Sequence, residues 1–537
     1  MSSRNVGTAL SFAVFLLVAA APAMAQSFRV QCPTSTITHP NTAANNSEPA
    51  YTGPTAFANG AKGYLTPTSN VNGSIKCQQI SGGDGYATMG DGTQTYMFSF
   101  GPLSGLADIA NGLPGTESPS VFNSPISAPP QPGDPASTPG FTYNGAIGQV
   151  VDADCVADNA AATAAGSPLP CPNLPATGVD GHVDPRQVMD VGVMNGNIPA
   201  PMMAIDEDDE FFLTLTNVGM IMRPDLFEQH TVHFHGYPNA STFYDGVPDA
   251  SVAINIGGSF TYYYLAPDAG TYFWHCHITP PEHLQMGMVG QIYVRPRQNR
   301  VPVGSSLFAA LQQQQSDLRT ACNSATDIVC TNPLPAGGAT ANTATRAATG
   351  KYAYNDGDGS TYYDVEYPIQ IHGFDPNFHF VGMTFNPEGF SDMKDKYFLL
   401  NGRSYPDTVS AGPMQTVSAD GVGHFSQPLP SIIDIAAGQK ALLRISDLDV
   451  TEYQTLASLG IPMKVIGYNA KLLRDQAGNN LYYSTNSITL AGGESLDVIL
   501  DSTGVPAGTY YLYTPNLDHL SNDAENFGGL MTEVRVH

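Results

Sequence analysis

Positive charge is scarce in this chain. Across 537 residues, 21 Lys and Arg stand against 47 Asp and Glu, a formal net charge of −26. Nucleic acid and anionic membrane would both repel such a chain, so neither is expected as a partner. Long apolar runs are scarce as well. The one at residues 9–20 follows Arg4 and precedes small residues at Ala23 and Ala25, the pattern of a secretory signal cut after Ala25. It is too short to span a bilayer comfortably, and no later segment is long enough to try. The expectation is an exported protein of the periplasm or the extracellular space, with no membrane span. Helical periodicity is also rare, with one exception at 305–319, SSLFAALQQQQSDLR.

Cysteine is limited to seven. An exported chain permits disulfides, and Cys32 with Cys77, Cys155 with Cys171 and Cys322 with Cys330 form sequence-local pairs, one choice among fifteen pairings of six cysteines. Cys276 is left over, inside GTYFWHCHITPPEHLQMGM at 270–288. A lone thiol in an oxidising compartment is a liability unless something occupies it, and a metal would.

What the chain has in quantity is short runs of Val, Ile, Thr, Tyr and Phe between Gly, Pro, Asn and Asp, for example EFFLTLTN at 210–217, SFTYYYLA at 259–266, QIYVRP at 291–296 and ALLRISD at 441–447. These read as mostly antiparallel strands of an all-β sandwich. An internal repeat divides them. MNGNIPAPMMAIDEDDEFFLTLTN, HTVHFHGYPN and GGSFTYYYLAPDAGTYFWHCH are followed, in the second half, by LNGRSYPD, PSIIDIAAGQKALLRISD, IPMKVIGYNAKLL and GGESLDVILDSTGVPAGTYYLYTP. The organisation read from this is a signal at 1–25, an N-terminal disulfide-linked segment at 26–83 and a first β domain at 84–296. A linker with a short helix at 297–363 and a second β domain at 364–537 complete it. Residues 103–185, dense in Pro, Gly, Ala and Ser, read as a long insertion with little regular structure. NDGDGS at 355–360 reads as a polar turn ahead of a calcium loop.

Side chains alternate faces along a strand. His275 and His277 therefore share one face, with Cys276 and Trp274 on the other; His233 and His235 point together, with His230 opposite. If the two strands pair, one face collects Cys276 with His230, and the other collects four imidazoles, His233, His235, His275 and His277. His283 and Met288, on the loop after the cysteine strand, can fold back towards Cys276. Two imidazoles, a thiolate and a weak thioether are the ligand set of a blue-copper site. Met286 competes with Met288 for the axial place. Zinc would leave the methionine and the second histidine set without a purpose.

The pattern H-x2-H-x-H-G, then HCH, then His and Met resembles the copper-binding repeat of multicopper oxidases, and DGVP at 245–248 looks like another shared segment. The resemblance implies two cupredoxin-like Greek-key β-sandwich domains with long loop insertions. It implies type 1 copper on His230, Cys276, His283 and Met288, and cluster ligands at His233, His235, His275 and His277. It gives Cys276 the electron path and Asp245 a part in proton delivery. Five residues rather than the family's commoner three separate HCH from His283.

The second copy has lost this chemistry. Aligning GTYFWHCH with GTYYLYTP sets Tyr513, Thr514 and Pro515 opposite His275, Cys276 and His277. Aligning HTVHFHGY with IPMKVIGY sets Ile461, Lys464 and Ile466 opposite His230, His233 and His235. His372, His379, His424 and His519 belong to no paired motif. The four-histidine face is thus expected to hold a mononuclear copper, to meet its like in a two-fold homo-oligomer, or to stand as a remnant. The leading expectation is an exported copper oxidoreductase of multicopper-oxidase type. It would take single electrons from a small-molecule, metal-ion or redox-protein donor at the type 1 copper and reduce oxygen at the second site. A nitrite-reductase-like enzyme with two mononuclear coppers and a non-enzymatic blue-copper carrier are the alternatives.

Overall fold

The computed structural model describes residues 28–60, 63–126, 143–172, 174–236, 241–266, 268–317, 333–336, 351–382 and 389–537. The signal at 1–25 and the pair Cys322 and Cys330 lie outside them. Two β-sandwiches carry the chain. In the first, one sheet orders Ser259–Leu265 (β6), Glu210–Gly219 (β4), Ile75–Thr88 (β1) and Gln94–Pro102 (β2). The facing sheet orders Met203–Asp206 (β3), Val289–Arg295 (β8), Gly270–His275 (β7) and His233–His235 (β5). The pairs β1/β4 and β3/β8 are parallel and the others antiparallel.

The second sandwich repeats this plan strand for strand. Val365–Phe374 (β9), Tyr397–Leu400 (β10), Ile433–Ile435 (β11), Lys440–Asp447 (β12), Gln454–Leu459 (β13), Ser495–Asp501 (β15), Gly508–Tyr513 (β16) and Met531–Val536 (β17) stand for β1 to β8 in order. The parallel pairs recur as β9/β12 and β11/β17. Met463–Tyr468 (β14) is an addition, paired to the outer side of β15. Two cupredoxin-like all-β sandwiches, expected from the repeat, are what the chain builds.

Each sandwich closes over its own apolar core. In the first, Phe98, Phe100, Phe211, Leu213, Tyr262 and Trp274 pack with Cys276, Met286 and Met288. Trp274 lies flat over its neighbour strand, where a Cβ at Gly290 would come within 2.7 Å of the indole, so only glycine fits opposite it. In the second, Ile369, Leu443, Val498, Leu512 and Val534 fill the equivalent space. The two sandwiches meet through buried polar contacts. Thr271 donates to Asp497 (2.6 Å), and Gln291 donates to the Arg444 carbonyl (2.9 Å). The Arg444 guanidinium lies over the Tyr293 ring and is paired with Glu366 at 3.0 Å.

Two expectations meet a different structure. The boundary at residue 84 falls inside β1, whose pairing with β4 begins at Ile75; the parallel ladder, not composition, decides where the sandwich starts. Cys77 on that strand bonds Cys32 and ties the N-terminal segment to it. The insertion holds a 13-residue helix, Ala153–Ala165 (α1). Its alanine-rich run has no internal breaker, Asp152 caps it by accepting from the Cys155 N–H, and Gly166 ends it in the left-handed conformation. The Cys155–Cys171 disulfide closes the loop behind it. NDGDGS is a polar turn: Asp356 accepts from the N–H groups of Asp358, Gly359 and Thr361, and Arg474 pairs with Asp358. A short helix, Leu307–Gln314 (α3), follows the first sandwich.

Candidate metal centre

Strand β5 pairs with β7 so that His233 faces His275 and His235 faces Phe273. The chain reaches β5 through His230, whose main chain bridges Ile254. After β7, a helix at Pro280–Gln285 (α2) carries His283, and Gly287, at φ +110, turns the chain back into β8. Two main-chain bonds close this loop: Cys276 N–H to the Met288 carbonyl (3.1 Å) and Met288 N–H to the His283 carbonyl (2.9 Å).

The result is a closed pocket. The ligating atoms of His230, Cys276 and His283 lie within 4.8 Å of one another, and all three side chains are fully buried. His283 Nδ1 is 3.2 Å from Cys276 Sγ, and the Thr231 N–H points to the same sulfur at 3.4 Å. Both ring nitrogens of His230 and Nε2 of His283 have no hydrogen-bond partner among the described residues. Buried polar atoms are rarely left so. Burial pushes the Cys276 thiol up, but His283 and His230 outweigh it and hold the thiol well below its ordinary value. Burial lowers His283, yet the neighbouring thiolate and Glu228 raise it to about 9. The pocket thus favours a thiolate beside a positive charge. Phe98 packs edge-on against His283 at 5.1 Å. Met288 and Met286 are both buried in the same apolar cluster, and the Met286 thioether lies towards Gly382, 3.4 Å from where a Cβ there would sit.

On the opposite face, His233, His235 and His275 bring ligating atoms within 4.8 Å of one another. His277 flanks them, with ring centroids 5.1 Å from His233 and 5.6 Å from His275. Two main-chain carbonyls orient this group. His233 Nδ1 donates to the Asp245 carbonyl (2.6 Å) and His275 Nδ1 to the Cys276 carbonyl (2.8 Å), which leaves Nε2 as the ligating atom of each ring; that of His275 lies 3.4 Å from His235 Nδ1. The Asp245 carboxylate stands 3.5 Å from His233 Nδ1. Burial, then the neighbouring imidazoles, push His275 down to about 3 and lower His235, so these rings are neutral and able to ligate near pH 7. His235 is exposed and His233 and His277 half-buried; this centre opens to solvent where the first does not.

Residues 179–299, which hold both clusters, match the family model for multicopper oxidase. The family match is confined to this segment, which is similar to a multicopper oxidase domain. Among curated relatives, laccase abr2 of Aspergillus fumigatus is 33% identical over 128 residues, 24% of this chain and 20% of that protein. Multicopper oxidase MCE of Talaromyces pinophilus is 33% identical over 131 residues, 24% of this chain and 20% of its own. The copper-containing nitrite reductase of Neorhizobium galegae is 35% identical over 106 residues, 19% of this chain and 25% of that enzyme. The chain thus spans a quarter or less of the length of these relatives. Among solved structures, blue copper oxidase from Nitrosomonas europaea overlaps 64% of this chain and 78% of its own, at 20% identity and a TM-score of 0.42, too loose to carry an argument. Copper is the metal of this family of oxidases, and the donor sets suit it: thiolate and imidazole at one site, imidazole alone at the other.

The structure brings together what strand parity predicted, with Cys276 and His230 on one face and the imidazoles on the other. It overturns one alignment. Lys464 and Ile466 do not stand opposite β16; they lie on β14, in the other sheet, and Ile461 lies in the bend before it. The strand that pairs with β16 as β5 pairs with β7 is β13, and Ala457, Ser458 and Leu459 occupy the places of His233, Phe234 and His235. GY after each segment invited the wrong match. The second repeat still offers no imidazole there. His372 faces the Leu284 carbonyl, His379 the Tyr96 and Gln285 carbonyls, His424 Asp420, and His519 Gln454; none joins the four-histidine group. One site residue escaped notice: Glu228, 3.7 Å from His283 Nε2. It shares the parity of His230, two residues on, and that spacing was the available signal.

Proposed function

We propose that the protein is an exported copper-dependent oxidoreductase. A one-electron donor is oxidised at the site of His230, Cys276, His283 and Met288, and oxygen is reduced at the site of His233, His235, His275 and His277. One observation carries the reading: three consecutive residues at the end of β7, His275-Cys276-His277, serve two metal-capable clusters on opposite sides of the chain. Copper, when bound, supplies one-electron redox chemistry at both places. The chain supplies the connection. Cys276 joins the sites through its own backbone, and the bond from His275 Nδ1 to the Cys276 carbonyl is a second, shorter bridge. The buried pocket around Cys276, walled by Phe98, Trp274 and the methionines, excludes water from the sulfur. The Asp245 main chain sets the His233 tautomer, and its half-buried carboxylate is placed to hold a proton beside the open centre. The donor, whether small molecule, metal ion or redox protein, meets the chain over His283, whose outer nitrogen lies beneath Glu228.

A nitrite-reductase-like use of the second site is the rival. The three-imidazole group His233, His235 and His275 favours it, because three nitrogens suffice for one mononuclear copper and the second sandwich adds none. Copper per chain, with optical and EPR spectra of one loaded sample, separates the readings. Two coppers per chain, one blue and one not, select the rival. Between two and three, with an EPR-silent pair, selects a cluster shared between chains and the oxidase. One copper, all of it blue, leaves a carrier and sinks the enzyme.

A further inference from the structure

We infer that the second sandwich contains a former copper site whose four ligand places are Gln454, Thr514, His519 and Leu530, and whose backbone frame is intact enough to bind copper when the lost ligands are restored. The inference takes the first cluster as a copper site and extends it by register alone.

The correspondence begins with the ladders. Pairing of β16 with β17 sets Tyr513 against Met531 as β7 and β8 set His275 against Val289. One residue further on, Thr514 takes the place of Cys276 and Leu530 that of Met288. The loop bonds agree. Thr514 N–H donates to the Leu530 carbonyl (2.9 Å) and Leu530 N–H to the His519 carbonyl (3.0 Å). These are the two bonds that Cys276, Met288 and His283 make in the first sandwich. Gly529 stands for Gly287, both at positive φ. On the other side, β13 pairs with β16 in the register of β5 with β7, so Gln454, three residues before Ala457, takes the place of His230.

The side chains agree as well. His519 is buried, and its ring stacks on Phe398 at 3.7 Å, where Phe398 is the register equivalent of Phe98 beside His283. Its Nδ1 points inward to Gln454 Oε1 (3.0 Å), and its Nε2 points outward to Glu452 (3.3 Å). His283 does the same, with Nδ1 towards Cys276 and Nε2 towards Glu228. Glu452 precedes Gln454 by two residues, as Glu228 precedes His230. One ligand and its orientation have therefore survived. The sulfur ligands have become a hydroxyl and an isobutyl group, and the second imidazole has become an amide that holds the first by a hydrogen bond. Thr514 is fully buried, so the place of the thiolate is filled and dry. The consequence for the chain as it stands is that electrons have one entry, on the first sandwich, and the second serves as scaffold.

The test is made in the full chain carrying Cys276→Ser, so that the first site contributes no thiolate band. Adding Gln454→His, Thr514→Cys and Leu530→Met should raise copper by one equivalent per chain and produce an intense thiolate-to-copper absorption with a single-copper EPR signal. A further His519→Ala should abolish both. If the folded variant binds no more copper than the Cys276→Ser parent and stays colourless, the inference is overturned. The double addition Gln454→His and Thr514→Cys, which leaves Leu530 in place, decides the matter if the triple does not fold, because the thioether is the weakest ligand. Colour in the unmodified chain, lost on Cys276→Ser, checks the first site separately.

Discussion

Thr231 offers a measure of how tightly the two metal-capable sites are tied. Its main-chain N–H points at Cys276 Sγ, and its hydroxyl oxygen, fully buried, accepts the His277 N–H at 2.9 Å. Thr231→Val keeps the shape and the N–H but removes the acceptor. Leaving a buried donor unmatched costs about 1–3 kcal/mol. If that cost falls on the geometry that holds His277 to metal, affinity at the four-histidine site drops roughly five- to a hundredfold. His277 is only half-buried, so water can replace the hydroxyl in part, and the lower end, about five- to tenfold, is expected. The assay is a copper titration followed by EPR, reading the non-blue signal apart from the blue one, with thermal unfolding of the same samples. Thr231→Ser should restore affinity to within about twofold, since it returns the acceptor. A folded Thr231→Val with unchanged affinity at the second site would refute the argument, as would loss of blue colour, because the bond to sulfur comes from the main chain.

Cys276→Ser should abolish blue colour and turnover together while the chain stays folded; a blue variant would remove Cys276 from the site. His275→Ala should keep the colour and stop reduction of the acceptor, and unchanged turnover in a steady-state assay would favour the carrier reading. The third concerns pH. Burial pushes the Asp84 carboxyl up to about 6, against the Tyr96 hydroxyl and the Met222 N–H that favour its charge. The folded chain then holds that proton more tightly than the unfolded chain, so stability falls as pH rises from about 4 through 6. Against the ordinary 3.8 the difference is worth roughly 3 kcal/mol. Asp84→Asn does not titrate, so its Tm should gain on the parent between pH 4 and 7 and hold level above; a gap that ignores pH refutes the assignment.

Much of this was legible because the sites are local in sequence. Strand alternation alone sorted Cys276 from His275 and His277, and the spacing of His230 from His233 and His235 placed it on the matching face. The repeat GG, strand, GTY, strand announced two sandwiches. The composition of 103–185 misled, because Pro and Gly density hid a capped alanine-rich helix whose signals are single residues, Asp152 and Gly166. Alignment of the second repeat failed for a different reason. β14 was inserted into the other sheet, and its GY ending outscored QTLASL, which shares only a threonine, Thr455 for Thr231, with HTVHFH.

The chain's order thus determined by itself that a thiolate and imidazoles meet at one strand pair, because neighbouring residues on two short strands have nowhere else to point. Only the tertiary structure decided which segment of the second half is the counterpart of that pair, because strand partners are chosen by ladders between residues more than fifty apart. It alone showed His519 on Phe398 and Glu452, holding the place of a ligand that no motif in the sequence marks.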